Sequence, residues 1–220
     1  DNQVNIIIFG PPGAGKGTQA KFLSEKLNNF QVSTGDMLRD EIKKDTDTGR
    51  KIINNMNDGK FVDDEIVNKL LEQIIFDKKR KNKLIFDGYP RTLNQAKNLD
   101  LLLQKSDQKI DYIFFLNVNK QAIIKRVEKR KILEKRSDDD ADTILKRYDT
   151  YMEITKPVLD YYSKNKNFHE VDGSCEINEI SQKIEEIVSE WDIDIEITSY
   201  IKTEITHKNY GSYCRGKHTN

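Results

Sequence analysis

The sequence predicts an α/β fold, a parallel sheet covered by helices on both faces. Three observations carry that expectation. Short apolar runs rich in β-formers alternate with longer segments of helical periodicity. The first run leads into IIIFGPPGAGKGTQ, Ile6 to Gln19, a glycine-rich turn with the spacing G-x-x-x-x-G-K-[ST]. Gly10, Ser33 and Asp87 each fall at the carboxyl end of a strand-like run, where ligands sit in such sheets.

The elements follow in order. Asn5 to Phe9 reads as a buried strand, and a helix from about Gly15 to Leu27 places Phe22, Leu23 and Leu27 on its inner stripe. FQVS is a short strand ending at Ser33. From Gly35 to Phe76 helical patterns alternate with polar turns, punctuated by Gly49 and Gly59. KLIFDG, Lys83 to Gly88, is a second buried strand, followed by a helix after Thr92 and by an apolar strand at Tyr112 to Val118. Helical stretches are expected over Gln121 to about Leu133 and Asp138 to about Ser163. FHEV suits a last strand, and Ile177, Ile180, Ile184, Ile187 and Val188 stripe a final helix.

Composition narrows the function classes. The 220 residues suit one medium domain, and 36% hydrophobic residues allow a core beneath a surface with 34% charge. Lys+Arg and Asp+Glu both number 37, a balance that argues against a nucleic-acid coat protein. Cys175 and Cys214 are far apart and outside any C-x-x-C pattern. They read as ordinary thiols in a reducing compartment, not a disulfide framework or zinc site. No apolar run approaches the roughly 20 residues needed to cross a bilayer. A cytoplasmic protein is expected, or an organellar one if a targeting segment has been removed.

The glycine loop carries the first chemistry. Gly10, Gly13, Gly15 and Gly17, with Ala14 between them, let successive N–H groups converge on an anion at the positive end of the following helix. Lys16 adds a mobile charge for terminal phosphates, and the Thr18 hydroxyl suits a magnesium ion. The fold is therefore expected to be of the P-loop NTPase type. The loop alone leaves open whether the phosphoryl group goes to water, a hydroxyl or another phosphate.

The rest of the chain bears on that choice. Asn119-Lys120-Gln121-Ala122 lacks the aspartate of the N-K-x-D sequence with which GTP-binding switch proteins read guanine, and no LSGGQ-like signature occurs. Instead STGDMLRDEI (Ser33 to Ile42), GKFVDDEIV (Gly59 to Val67), FDGYPRTLNQA (Phe86 to Ala96) and KRSDDDADTILKRYDTY (Lys135 to Tyr151) follow in that order. Together with the loop, these resemble the nucleoside monophosphate kinases, and the adenylate kinase family best, from about Val4 to Glu190.

The resemblance implies that the acceptor is another phosphate: MgATP + AMP ⇌ 2 ADP. Two polyanions repel one another, so transfer between them calls for dense positive charge, and guanidinium forks hold phosphate oxygens bidentately. By resemblance, Arg39 and Arg91 bind the acceptor phosphate, with Thr34 near the acceptor base, the backbone around Val62 along its pocket, Gly88 within the AMP site and Gln95 reading the purine edge. Arg126 and Arg130 lie at the donor, Arg136 and Arg147 bridge the transferred group, and Asp87 meets magnesium through water. The Ile177 backbone meets the donor adenine. The catalytic set so implied is Lys16, Arg91, Arg126, Arg136 and Arg147.

The resemblance also implies an organisation: a kinase domain over 1–191, with a helical acceptor-binding lobe at 35–76 and a short lid at 131–135. The lid sequence KILEK contains no glycine, so it also suits an extension of the preceding helix. Asp138 to Asp140 fit both a helix N-terminus and a lid hinge. Thr34 and Gln95 favour AMP, whereas the short lid and RSDDD also suit UMP/CMP kinases. A catalytically weak nucleotide-binding relative is a third reading, and ATP versus GTP as donor stays open. ATP, AMP and ADP are the expected partners of a monomer, with no nucleic acid and no membrane segment. Beyond Trp191 the resemblance stops; 192–220 is an extension whose DIDIEIT alternates as a half-exposed strand does, either an inert appendage or a docking strand.

Overall fold

Four apolar residues, Ile6–Phe9, form β1 at the centre of a five-stranded sheet. The computed structural model describes residues 3–57, 62–134 and 141–189. Its strand order is β2-β3-β1-β4-β5, with β2 at Phe30–Val32, β3 at Leu84–Asp87, β4 at Tyr112–Asn117 and β5 at Phe168–Asp172. Every pairing is parallel, with Ile7 opposite both Phe86 and Ile113. The chain adds β2 and β3 on one side of β1, then β4 and β5 on the other. The order thus reverses at β1, the place where open α/β sheets hold ligands.

Burial explains the unbroken apolar runs. Ile7, Phe9, Leu84, Phe86, Ile113 and Phe115 point to one face and join a single core cluster. Against them pack Leu70 and Leu71 of α4 (Asp64–Ile75), Leu99 and Leu103 of α5 (Leu93–Lys105), and Val158 and Tyr162 of α7 (Ala141–Ser163). Ile6, Ile8, Ile85 and Phe114, the alternate residues, are also fully buried, so both faces are covered. Slipping any strand by one residue would exchange these two sets, which fixes the register.

The end of the sheet opposite the glycine loop is tied by a buried amide. Asn5 Nδ2 donates to Gln108 Oε1 at 3.2 Å and to the Lys109 carbonyl at 3.0 Å, while its Oδ1 accepts the Leu84 N–H at 3.1 Å. Each polar atom of this buried side chain is therefore satisfied, which a buried amide requires.

Helices α1 (Lys16–Leu27), α2 (Thr34–Lys43), α3 (Asp47–Asn57) and α6 (Lys120–Glu134) complete the described elements up to β5, with a 3₁₀ turn at Lys78–Arg80. A last helix spans 177–189. Three sequence expectations change. Phe22 is exposed, and α1 instead buries Gln19, Ala20 and Leu23, because the loop fixes the helix start and turns that stripe inward. Gly49 is no turn: it lies within α3, where a Cβ would stand 2.7 Å from the Glu41 carbonyl oxygen of α2. Its role is close helix packing. In the last helix Ile180, Ile184 and Val188 are buried but Ile177, its first residue, is exposed.

Residues 131–134 form the last turn of α6, in keeping with the glycine-free reading of that stretch. Lys135 to Asp140, including Arg136, together with Gly59, the Arg130 side chain and the 192–220 extension, lie outside the described residues. The chain divides into two units, Asp1–Ser181 and Gln182–Asn220. All site geometry below belongs to the first.

Candidate active site

The glycine loop sits between β1 and α1 as the spacing requires. Gly13 and Gly15 have φ of 85° and 80°, left-handed conformations that favour glycine. Gly15 is the N-cap of α1 and offers no side-chain acceptor. The first N–H groups of the helix are thereby left to a ligand. A Cβ on Gly17 would meet nothing within 4 Å, so the loop opens outward at that residue.

Lys16 Nζ lies 2.6 Å from Asp87 Oδ1 at the end of β3. This is a charge contact more than a directed hydrogen bond, since Oδ1 has no aligned donor among the described residues. The other oxygen, Oδ2, accepts from Gln31 Nε2 at 2.9 Å. Gly88 follows with φ of 73°, and a Cβ there would lie 3.2 Å from Lys16 Nζ. The lysine head is thus enclosed by the carboxylate and by the backbone after β3. The Tyr89–Pro90 peptide is cis.

A cavity of about 780 Å³ opens over the loop and joins Lys16 and Thr18 to Gly88, Arg91 and Arg147. Arg91 Nε donates to the Gly88 carbonyl at 3.0 Å, which orients its guanidinium beside the loop. Arg147 comes from α7, and so does Tyr151, one turn further along the same face. Tyr151 Oη accepts the Gly10 N–H at 3.0 Å, and burial pushes this phenol up to about 12. Sequence reasoning missed Tyr151. Its spacing from Arg147 was the available signal.

Two further groups frame the cavity. At the α1 side, Arg126 of α6 donates to the Gly13 carbonyl at 3.0 Å, to Cys175 at 3.2 Å and to Gly173. The Ile177 carbonyl accepts from Gln19 Nε2 at 3.1 Å. These bonds pin the turn after β5 against the glycine loop. On the other side stand the α2 and α5 residues. Arg39 pairs with Asp36 at 2.5 Å on the surface, and with Ser33 it holds the Asp36 carboxyl below its usual range. Thr34 Oγ1 is buried without a hydrogen-bond partner among the described residues. Val62 packs against the core. Gln95 is bonded to both Arg91 and Asp64.

The structure brings Lys16, Thr18, Gly88, Arg91 and Arg147 into one cavity. It sets Arg126 and Ile177 at one flank, and it leaves Thr34, Arg39, Val62 and Gln95 off the cavity wall. Arg130 and Arg136 cannot be placed, for their side chains lie outside the described residues.

A strand, a glycine cradle, an enclosed lysine and two arginines, one from the turn before α5 and one from α7, define a phosphotransferase of the P-loop type. The adenylate kinase family model matches residues 8–167. An adenylate kinase of Pelagibacter ubique is 47% identical over 84% of this chain and 99% of its own length. One of Mycoplasma mycoides is 43% identical over 76% of this chain and 91% of its own, and one of Flavobacterium psychrophilum 40% over 84% and 98%. The chain belongs to the adenylate kinase family.

Proposed function

We propose that this enzyme transfers the γ-phosphoryl group of MgATP reversibly to AMP, giving two ADP. The observation that carries the reading is the single cavity holding Lys16, Thr18, Arg91 and Arg147. A loop for one polyanion faces guanidinium groups suited to a second. The attacking phosphate oxygen is already ionised, so no general base is needed. Catalysis then rests on position and on charge stabilisation.

In this reading the N–H groups around Gly13 to Thr18 hold the donor phosphates, and Lys16 leaves Asp87 to follow the transferred group. Arg91 orients the acceptor phosphate together with Arg39, while Arg147 and Arg136 bridge donor and acceptor. Arg126, Arg130 and the Ile177 backbone flank the donor base. Thr34, whose buried hydroxyl is an unspent donor and acceptor, lies along the acceptor base with Val62 and Gly88, and Gln95 reads its edge. The acceptor lobe comprises 35–76, the lid 131–135, and 192–220 is an extension to the kinase domain of 1–191.

The residues present fit magnesium. Asp87 Oδ1 is a buried carboxylate oxygen lacking an aligned donor among the described residues, which suits a metal-bound water, and Thr18 lines the cavity together with Lys16, the ion-pair partner of Asp87. When bound, the ion would neutralise phosphate charge. Among the described residues no helix is long and apolar enough to cross a membrane. A cytoplasmic monomer completes the reading, and Cys175, which is not in a disulfide, suits a reducing compartment.

The test is phosphotransfer from MgATP to AMP, UMP, CMP and GMP in separate reactions, with products resolved by chromatography. Rapid ADP formation with AMP and little transfer to the others is expected. Faster use of UMP or CMP would overturn the acceptor assignment.

A further inference from the structure

Gln95 is locked from both ends of its amide. Its Oε1 accepts the Arg91 backbone N–H at 2.8 Å, and its Nε2 donates to Asp64 Oδ1 at 3.0 Å. A backbone N–H can only donate, and a carboxylate can only accept. The two partners therefore fix which amide atom is oxygen and which is nitrogen, a choice that similar shapes otherwise leave open. Oε1 retains a second lone pair and Nε2 a second hydrogen. What the side chain still offers is one acceptor beside one donor, in a set order.

We infer that Asp64 is a specificity-determining residue, which holds the Gln95 amide in the polarity that accepts a 6-aminopurine and refuses a 6-oxopurine. The inference rests on the proposed reading that Gln95 meets the acceptor base. A 6-aminopurine presents an exocyclic N–H donor beside an N1 acceptor, and the amide meets both. A 6-oxopurine presents the reverse, an O6 acceptor beside an N1–H donor. To bind it the amide must turn over. That turn breaks both fixing bonds, sets Oε1 against the Asp64 carboxylate and sets the amide hydrogens against the Arg91 N–H. The negative charge of Asp64 also disfavours a carbonyl oxygen nearby.

A capping role explains only half of this geometry. Thr92 is the N-cap of α5 and accepts the Gln95 N–H at 3.2 Å, so the run Thr92 to Gln95 resembles a capping box. The Arg91 bond only approximates that role, because Gln95 Oε1 accepts the N–H of the residue before the N-cap, not that of Thr92 itself. The Asp64 bond lies outside it: it crosses from α5 to the first residue of α4, 31 positions away. Nothing about capping α5 requires it.

The test compares AMP with inosine monophosphate, which exchanges the amino group for an oxo group on the same purine. Wild type, Asp64→Ala and Gln95→Ala are assayed for kcat/KM with each acceptor. Wild type should prefer AMP strongly. Removing Asp64 takes away one of two fixing bonds, so the AMP-to-inosine ratio should fall about tenfold, chiefly through KM. Equilibrium binding of both nucleotides by calorimetry gives the same ratio if turnover is lost. A ratio within twofold of wild type in Asp64→Ala, with the ratio lost in Gln95→Ala, overturns the inference alone. A ratio unmoved in Gln95→Ala shows instead that the acceptor-base reading of Gln95 has failed.

Discussion

Lys16, on the wall of the cavity, forms an ion pair with Asp87 at the end of β3, with Nζ 2.6 Å from Oδ1 and each side chain largely buried. The pair joins the glycine loop to the end of β3, so the lysine is held at the site by a charge that phosphate can replace. On the proposed mechanism Lys16→Met removes one charge from the transition state. A fall in kcat of about 10²–10³-fold is expected, with ATP binding retained. Asp87 also loses its counterion, so Tm should drop as well. Stopped assays and thermal melts measure the two effects separately. Near-normal turnover in Lys16→Met would remove the lysine from the mechanism.

Tyr151 ties α7 to the first glycine of the loop through the Gly10 N–H. Tyr151→Phe deletes only the hydroxyl and leaves that N–H without its partner, which costs about 1–3 kcal/mol. Denaturant melts should show a loss of this size. The KM for ATP should rise more than that for AMP, since the loop starts at Gly10. Equal effects on both substrates would show that the bond supports the fold without shaping the loop.

The glycine loop was legible because its chemistry is local: spacing, strand and helix all lie within Ile6 to Leu27. The strands were legible too, since β1, β3 and β4 are buried on both faces and read as continuous apolar runs. What escaped the sequence were particular contacts between distant parts of the chain, even where the residue itself, as with Arg126, was named. Tyr151 reaches Gly10 across 141 positions, and Arg126 reaches Gly13 across 113. Local periodicity names neither partner, although the four-residue spacing does put Tyr151 on the Arg147 face of α7. Phe22 was misplaced although periodicity could exclude it: Ala20, Leu23 and Leu27 lie within about 60° of one another around α1, whereas Phe22 lies about 100° from Leu23. Gly49 was misplaced because a glycine signals a turn and a tight helix crossing equally well.

That crossing permits a sharp test. Alanine favours a helix interior over glycine by about 1 kcal/mol, so Gly49→Ala would stabilise an isolated α3. In the fold the added Cβ would lie 2.7 Å from the Glu41 carbonyl oxygen and 3.2 Å from the Ile42 Cα. Both are backbone atoms, unable to rotate aside, and overpacking of this kind costs about 1–3 kcal/mol. The clash should win, lowering Tm and raising the KM for AMP with little change for ATP. An increased Tm would mean that α2 and α3 separate without cost.

Asp100 of α5 accepts the Tyr161 hydroxyl of α7 at 2.7 Å. Burial raises the Asp100 carboxyl above its usual range, partly offset by that hydrogen bond, and the carboxylate in turn pushes the Tyr161 phenol up to about 12. A carboxyl whose folded value is raised binds its proton more readily in the folded chain than in the unfolded one. Its contribution to stability is therefore fully present below the unfolded value and is lost as pH rises through the folded one. Asp100→Asn keeps an oxygen acceptor for Tyr161 but cannot ionise. The Tm of the variant minus that of wild type should thus increase as pH rises through the carboxylate range and level off near neutrality. The increase should be a few degrees at most, because 1 kcal/mol moves Tm by roughly 2–4 °C in a domain of this size. Thermal melts from pH 3 to 8 measure it. A difference that shrinks as pH rises would show that the Tyr161 bond outweighs burial at this carboxylate.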